Sequence, residues 1–247
     1  MSAWRPAPAA LRLGRDEVHV WRATLDQAPS QTGIFLRTLA ADERARAERF
    51  YFQSDRARFI VARGILRAIL GGYLERAPES LSFCYGSRGK PALSPDSSQD
   101  AIRFNLSHSG NSALYAVTLA REVGVDLELM RPRLSAERLA ERFFSPREID
   151  TLHTLPANLR RHAFFLAWTR KEAYIKARGE GLALPLKQFD VSLIPGEPAA
   201  LLGAERDPQE VARWRLQELA PGPGYVAALA VEGHGWSLCC WDWPTPL

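Results

Sequence analysis

A short string occurs twice in this chain. "AERFYF" at residues 47–52 returns as "AERFFS" at residues 140–145, 93 positions later. Each copy precedes an apolar stretch, "FIVARGIL" from Phe59 and "FFLAWTRK" from Phe164, and these lie 105 positions apart. A repeat of about a hundred residues points to two similar halves in one chain, each burying its own helix, with a cleft between them.

The hydrophobic periodicity agrees with two halves. "VHVWRATL" reads as an opening strand. Residues 38–74 read as mostly helical, with Ile60, Ile65, Leu66 and Ile69 at helical spacing before the stop at Gly71 and Gly72. "YGSRGKPAL" is punctuated as a loop, and "LSPDSSQD" at 93–100 as a polar connection. The period then changes to two: Ile102, Phe104 and Leu106 alternate with polar residues, "SALYAVTLA" follows the tight "HSGN" turn, and "EVGVDLEL" follows another short turn. This spacing predicts a three-stranded antiparallel meander over 102–129. Residues 134–177 return to helix, and "FDVSLI", "WRLQEL", "GYVAALAV" and "WSLCCWDW" read as a second set of strands. The expected fold is therefore α+β, a pseudo-dimer of helix-plus-antiparallel-sheet halves spanning 1–120 and 121–247.

Composition narrows the function classes. With 247 residues and 46% hydrophobic content the chain can bury a sizeable core. No apolar run approaches the ~20 residues of a spanning helix, and "MSAWRPAPAA" lacks an apolar signal core, so a cytoplasmic protein with no membrane partner is expected. Three cysteines make no disulfide framework, and Cys239 and Cys240 would face opposite sides of a strand. The net charge of +4 favours anionic partners. Arginine supplies every cation between Asp42 and Arg67, and its fork suits phosphate. These arginines also fit solvated helix faces with i,i+4 pairs. A nucleic-acid-binding module would need an unbroken basic face, whereas acids interrupt each arginine cluster here, so no nucleic-acid partner is expected.

"GVDLELM" carries the most chemistry. On a strand, Val123, Val125, Leu127 and Leu129 share one face while Asp126 and Glu128 share the other. At about 3.3 Å per residue the two carboxylates sit roughly 6.5 Å apart and repel unless a cation lies between them. Alone, D-x-E also fits two carboxylates facing water, or a glycosidase pair. Glu172 and Lys176, four apart in "WTRKEAYIK", lie on one helical face. A third carboxylate arriving from a helix would complete an oxygen-rich site of the kind magnesium takes. As an exposed ion pair, Glu172 and Lys176 would contribute only about 0.3–0.5 kcal/mol. Asn105, Ser107 and His108 end the first strand of the expected meander; Ser107 and His108 point to opposite faces, so a serine–histidine nucleophile is awkward there.

"NLSHS", "GVDLE", "RFFSPRE" and "WTRKEAYIKARGEGL", in this order and at this spacing, resemble the Sfp-type 4′-phosphopantetheinyl transferases over residues 35–191. The resemblance implies an enzyme that moves phosphopantetheine from coenzyme A to a serine of an acyl or peptidyl carrier protein, releasing adenosine 3′,5′-bisphosphate. It implies magnesium held by Asp126, Glu128 and Glu172, and pyrophosphate contacted by Lys176. Asn105, Ser107 and His108 would line the coenzyme A site, with His108 on the phosphates. Arg88, Gly89 and Lys90 would run along the nucleotide and Arg46 would meet the 3′-phosphate, with Arg44 and Arg58 nearby. Glu172 is the first candidate for the base that takes the serine proton, and Glu148 the second. A basic rim of Arg131, Arg133, Arg138 and Arg142 would face an acidic carrier. A magnesium-dependent phosphohydrolase using the same carboxylates is the rival enzyme. The resemblance further implies a monomer with an internal pseudo-two-fold.

Overall fold

The computed structural model describes residues 3–8, 10–86, 88–95, 102–131 and 134–244. Strands β1 (Trp4–Pro6) and β2 (Glu17–Thr24) precede helices α1 (Pro29–Thr38), α2 (Ala41–Glu48) and α3 (Gln53–Leu74). The hairpin β3 (Phe83–Tyr85) and β4 (Pro91–Leu93) leads to β5 (Ile102–Ser109), β6 (Ser112–Leu119) and β7 (Val123–Leu129). Helices α4 (Ala136–Phe143), α5 (Pro146–Thr154) and α6 (Ala157–Arg178) follow. The chain ends through β8 (Phe189–Val191), β9 (Leu201–Ala204), the short α7 (Glu210–Arg213), β10 (Trp214–Leu219), β11 (Tyr225–Glu232) and β12 (Ser237–Asp242). The α+β expectation holds. Among the described residues, no helix is long and apolar enough to cross a membrane.

Two sheets lie face to face, each with a long helix on its outer side. The first has the order β1-β12-β2-β6-β5 and the second β10-β11-β7. Alternation along each strand divides its residues between two cores. In β6, Ala113, Tyr115 and Val117 meet Val61, Ile65, Leu66 and Ile69 of α3. Leu114 and Ala116 turn the other way and pack, with Val18 and Val20, against Val123, Val125 and Leu127 of β7 and Leu229 and Val231 of β11. On the far side of the second sheet, Val226, Ala228 and Ala230 pack against α6 through Phe164, Ala167 and Tyr174. Cys240 joins the inter-sheet core while Cys239 is half-buried on the opposite face. No disulfide links any of the three cysteines.

The repeat has a structural counterpart: α3 and α6 are the central helices of their layers, both 22 residues long. The longer offset in the second half is taken up by α5, which has its own N-terminus. Ser145 Oγ accepts from Glu148 N–H and the Glu148 carboxylate accepts from Ser145 N–H, a capping box that starts the helix after Phe144.

The segment 38–74 is mostly helical, as expected, and two readings need correction. Within it the chain turns at Leu39–Ala40 and again between α2 and α3. The Glu43 carboxylate accepts from Ala40 N–H at 3.0 Å and begins a new helix there. The meander is broken: β5 and β6 form the expected hairpin, but β7 pairs with β11 in the other sheet. Ala120, at the junction, takes a left-handed φ of 57° as the chain leaves one sheet for the other. Finally, "WSLCCWDW" does not join the second set of strands, because β12 runs parallel to β2 inside the first sheet. A division at 120/121 therefore does not separate the two sheets. The polar connection read at 93–100 falls largely outside the described residues.

Candidate active site

The site forms where the free edge of β5 meets the free edge of β7. No backbone ladder joins these strands; side chains replace it. Val125 N–H donates to Asn105 Oδ1 at 2.9 Å, Leu127 N–H to Ser107 Oγ at 3.3 Å, and Leu129 N–H to Ser109 Oγ at 3.1 Å. Alternate residues of one strand thus answer alternate amides of the other, so the "NLSHS" pattern closes a seam between the two sheets.

The same serines hold the carboxylates. Ser107 Oγ–H donates to Asp126 Oδ1 and Ser109 Oγ–H to Glu128 Oε2, each at 2.9 Å. Asp126 is buried and Glu128 half-buried. Both project from the face of β7 turned toward α6.

Gly124 explains how α6 reaches them. It lies on the same face of β7, and a Cβ there would stand 2.1 Å from Ala173 O and 2.3 Å from Ala177 N. Only glycine lets the helix backbone settle this close to the strand. One helical turn on that side then brings Lys176 onto Asp126 and Glu172 within range of the Asp126 and Glu128 charges. Lys176 Nζ donates to Asp126 Oδ1 at 2.6 Å, to Ser107 Oγ at 3.0 Å and to Val125 O at 3.4 Å.

The electrostatics are those of a site short of positive charge. Burial pushes the Glu172 carboxyl above its ordinary range; Asp126 and Glu128 push it further, against the opposing pull of Lys176. Glu128 is likewise raised, first by burial and then by Asp126, while its Ser109 bond and Lys176 act the other way. Asp126 Oδ2 is buried with no hydrogen-bond donor on it. Among the described residues no three of His, Cys, Asp and Glu form a ready-made metal cage. Instead the Lys176 ammonium rests on Asp126. The donor set is nonetheless all oxygen, one oxygen is orphaned, and three carboxylates raise or are raised by one another, which suits a hard divalent cation.

The remaining expected residues are spread around this centre. His108 sits on the face of β5 opposite Ser107, exposed at the strand end; its protonation is opposed by the partial enclosure of its ring and by Lys176. Lys90 acts as a staple, donating to Ala177 O and to Glu122 Oε2 at 3.0 Å and to Val123 O at 3.3 Å, so it ties the β3–β4 hairpin to β7 and α6. Gly89 has a φ of 79° in that turn, and the Arg88 side chain lies against Gly181. Arg46 lies with Arg49, Phe50 and Tyr85 on a cavity of about 580 Å³, its guanidinium 5.4 Å from the centre of the Phe59 ring. Arg44 donates to Arg37 O and Arg58 pairs with Asp26. Arg131, Arg138 and Arg142 are exposed; Arg133 lies outside the described residues. Beside Glu128, a pocket of about 240 Å³ is walled by Leu129, Leu134, Leu139, Phe164 and Trp168, with Arg131 at its edge.

Glu148 does not reach the site. It is buried against Lys171 at 2.8 Å and accepts from Val191 N–H and Ser145 N–H. Its hydrogen-bonding capacity is spent on structure, which removes it as a candidate base. Lys171 is the complementary surprise: the first lysine of "WTRKEAYIK" is fully buried, donating to Leu186 O and Phe189 O. Its separation from Lys176 held the clue. Five residues at about 100° each put the two lysines on different sides of α6. Gly124 and Ser109 are further residues of the site, beyond those expected from the sequence. The signal for Ser109 was the alternation Asn105, Ser107, Ser109 set against Asp126, Glu128.

Comparison with known proteins agrees across nearly the whole chain. The family model "4'-phosphopantetheinyl transferase, N-terminal" matches residues 21–120, and "4'-phosphopantetheinyl transferase superfamily" matches residues 122–230. The chain is 48% identical to the 4'-phosphopantetheinyl transferase HetI of Nostoc sp., over 97% of its own length and 98% of that protein's. It is 35% identical to the 4'-phosphopantetheinyl transferase psf-1 of Bacillus pumilus, over 77% and 78% of the two chains. It is 32% identical to the 4'-phosphopantetheinyl transferase Sfp of Bacillus subtilis, over 64% and 68%. Similarity of this extent places the chain in the 4′-phosphopantetheinyl transferase superfamily.

Proposed function

We propose that this enzyme transfers the 4′-phosphopantetheine group of coenzyme A to a serine hydroxyl of an acyl or peptidyl carrier protein, with magnesium, releasing adenosine 3′,5′-bisphosphate. The observation that carries this reading is the bond of Lys176 from α6 to Asp126 of β7 beside an orphaned buried Asp126 oxygen, with Glu128 and Glu172 near enough for their charges to act on one another. Asp126, Glu128 and Glu172 would hold the magnesium, which neutralises pyrophosphate charge when bound.

The chain's own residues position and neutralise. Lys176 has two sets of acceptors within reach of its flexible stem, the Asp126 carboxylate in the resting protein and the pyrophosphate oxygens when coenzyme A is bound. Moving to phosphate frees Asp126 Oδ1 beside the orphaned Oδ2. His108 is a hydrogen-bond donor to the phosphates through a ring N–H. Glu172 is the candidate that takes the serine proton, directly or through water. Arg46, above its cavity, suits the 3′-phosphate, while Asn105, Ser107, Arg88 and Gly89 border the nucleotide path. Lys90, as placed, supports that path by fixing its loop. Exposed Arg131, Arg138 and Arg142 would speed docking of an acidic carrier. Every element of the site comes from one chain, which suits a monomer.

Incubation with coenzyme A, magnesium and an apo carrier protein tests the reading by mass spectrometry. A carrier mass gain of one phosphopantetheine is expected. Phosphate release with an unmodified carrier would favour a phosphohydrolase instead.

A further inference from the structure

The two serines of the seam repeat one geometry. Ser107 reaches Asp126 and Ser109 reaches Glu128, in both cases across 19 positions of sequence and 2.9 Å of space. In both, the serine oxygen also accepts a β7 amide. The two sites differ in one respect. Ser107 bonds Lys176 as well, so it serves three groups. The hydroxyl of Ser109 bonds only Glu128 and the Leu129 amide among the described residues.

That second bond gives the first its direction. With the Leu129 N–H on one lone pair, the hydroxyl proton of Ser109 has the Glu128 carboxylate as its natural acceptor. Ser109 is itself buried, at 7% exposure, on a strand held by eight register pairs to β6. Glu128 is the more exposed of the two strand carboxylates, and the described residues give it no ion-pair partner of its own. A half-buried glutamate without such a tether would sample several rotamers, and a ligand that must be collected from several rotamers binds its cation more weakly.

We propose that Ser109 is a positioning residue of this site: its hydroxyl fixes the Glu128 carboxylate in the orientation that receives the divalent cation. This rests on the reading of Glu128 as a cation ligand given above. It makes "NLSHS" a template in which the third of the alternating residues Asn105, Ser107 and Ser109 serves the metal rather than the nucleotide.

Calorimetric titration of magnesium into the protein saturated with coenzyme A tests it. Ser109→Ala should weaken magnesium about 10-fold, and Ser109→Thr, which keeps the hydroxyl, should restore most of the loss. In a Glu128→Gln background, where magnesium is already weakened, Ser109→Ala should add less than about twofold, because the two residues act as one unit. Wild-type magnesium affinity in Ser109→Ala would overturn the proposal, as would an equal loss in the presence and absence of the Glu128 carboxylate, since that marks a general structural effect. Wild-type affinity in Glu128→Gln alone would instead overturn the assignment of Glu128 as a ligand.

Discussion

At the scale of single residues, the two lysines of α6 separate structure from chemistry. Lys171 and Glu148 are both essentially solvent-free and bonded to each other, to backbone carbonyls and to backbone amides. Removing one partner leaves an uncompensated buried charge. Lys171→Met should therefore destabilise the fold by about 3–5 kcal/mol in denaturant titration, and Lys171→Met with Glu148→Leu should recover much of the loss. Lys176, which is part-exposed although it bonds buried Asp126, should cost less stability as Lys176→Met than Lys171→Met does, while slowing transfer by about 10²-fold if its charge serves the phosphates as proposed. Equal losses of stability in the two single variants would contradict this division. The sequence made Asp126, Glu128, Glu172 and Lys176 legible because strand and helix periodicities place like chemistry on one face. It could not separate a lysine that pairs with a glutamate 23 positions away from one that serves a ligand, since tertiary packing decides that.

At the scale of elements, the approach of α6 to β7 sets the geometry. A methyl at Gly124 would collide with the backbone at Ala173 and Ala177, which cannot swing aside as a side chain can. Gly124→Ala should cost about 1–3 kcal/mol and, by displacing Glu172 and Lys176, reduce turnover toward 10²-fold. Matched assays of turnover and thermal stability check both. Stability loss with full turnover would show that the helix position matters less than argued. The meander expected over 102–129 failed on this same ground. Alternation and short turns identify strands, but they do not say which sheet edge a strand joins. Here Asn105, Ser107 and Ser109 occupy with side chains the bonds that a β5–β7 ladder would have used. In the first layer, His19 is buried between β2 and α3, with Nδ1 2.7 Å from the Tyr73 hydroxyl. Burial lowers its proton affinity, against the opposing pull of Glu17. The unfolded chain therefore binds this proton more readily than the native one, so His19 takes stability away as pH falls below about 6.5. Melting temperatures should fall more steeply from pH 6.5 to 5 in the wild type than in His19→Gln; identical slopes would exclude His19 as a source of acid sensitivity.

At the scale of the whole molecule, the two layers share their boundaries. The last strand, β12, lies between β1 and β2 in the first sheet, and the inter-sheet core draws Val18, Val20 and Leu114 from one layer and Val125, Leu127 and Leu229 from the other. The repeat revealed two similar layers but hid this exchange, because a strand pattern carries no address. Residues 1–120 expressed alone should therefore fail to form a cooperatively melting fold by circular dichroism. A sharp melting transition in that fragment would contradict the interdependence. On the proposed function catalysis depends on the same closure, since β5 with its serines belongs to one sheet and β7 with its carboxylates to the other. The most direct test is intact-mass measurement of an apo carrier protein incubated with coenzyme A, magnesium, and wild-type, Asp126→Asn or Glu172→Gln enzyme. Wild type should add one phosphopantetheine to the carrier, and either variant, folded to the wild-type melting temperature, should add it at least about 10²-fold more slowly. Wild-type rates in both variants would mean that the carboxylates gathered between strand and helix are not the centre of this enzyme's chemistry.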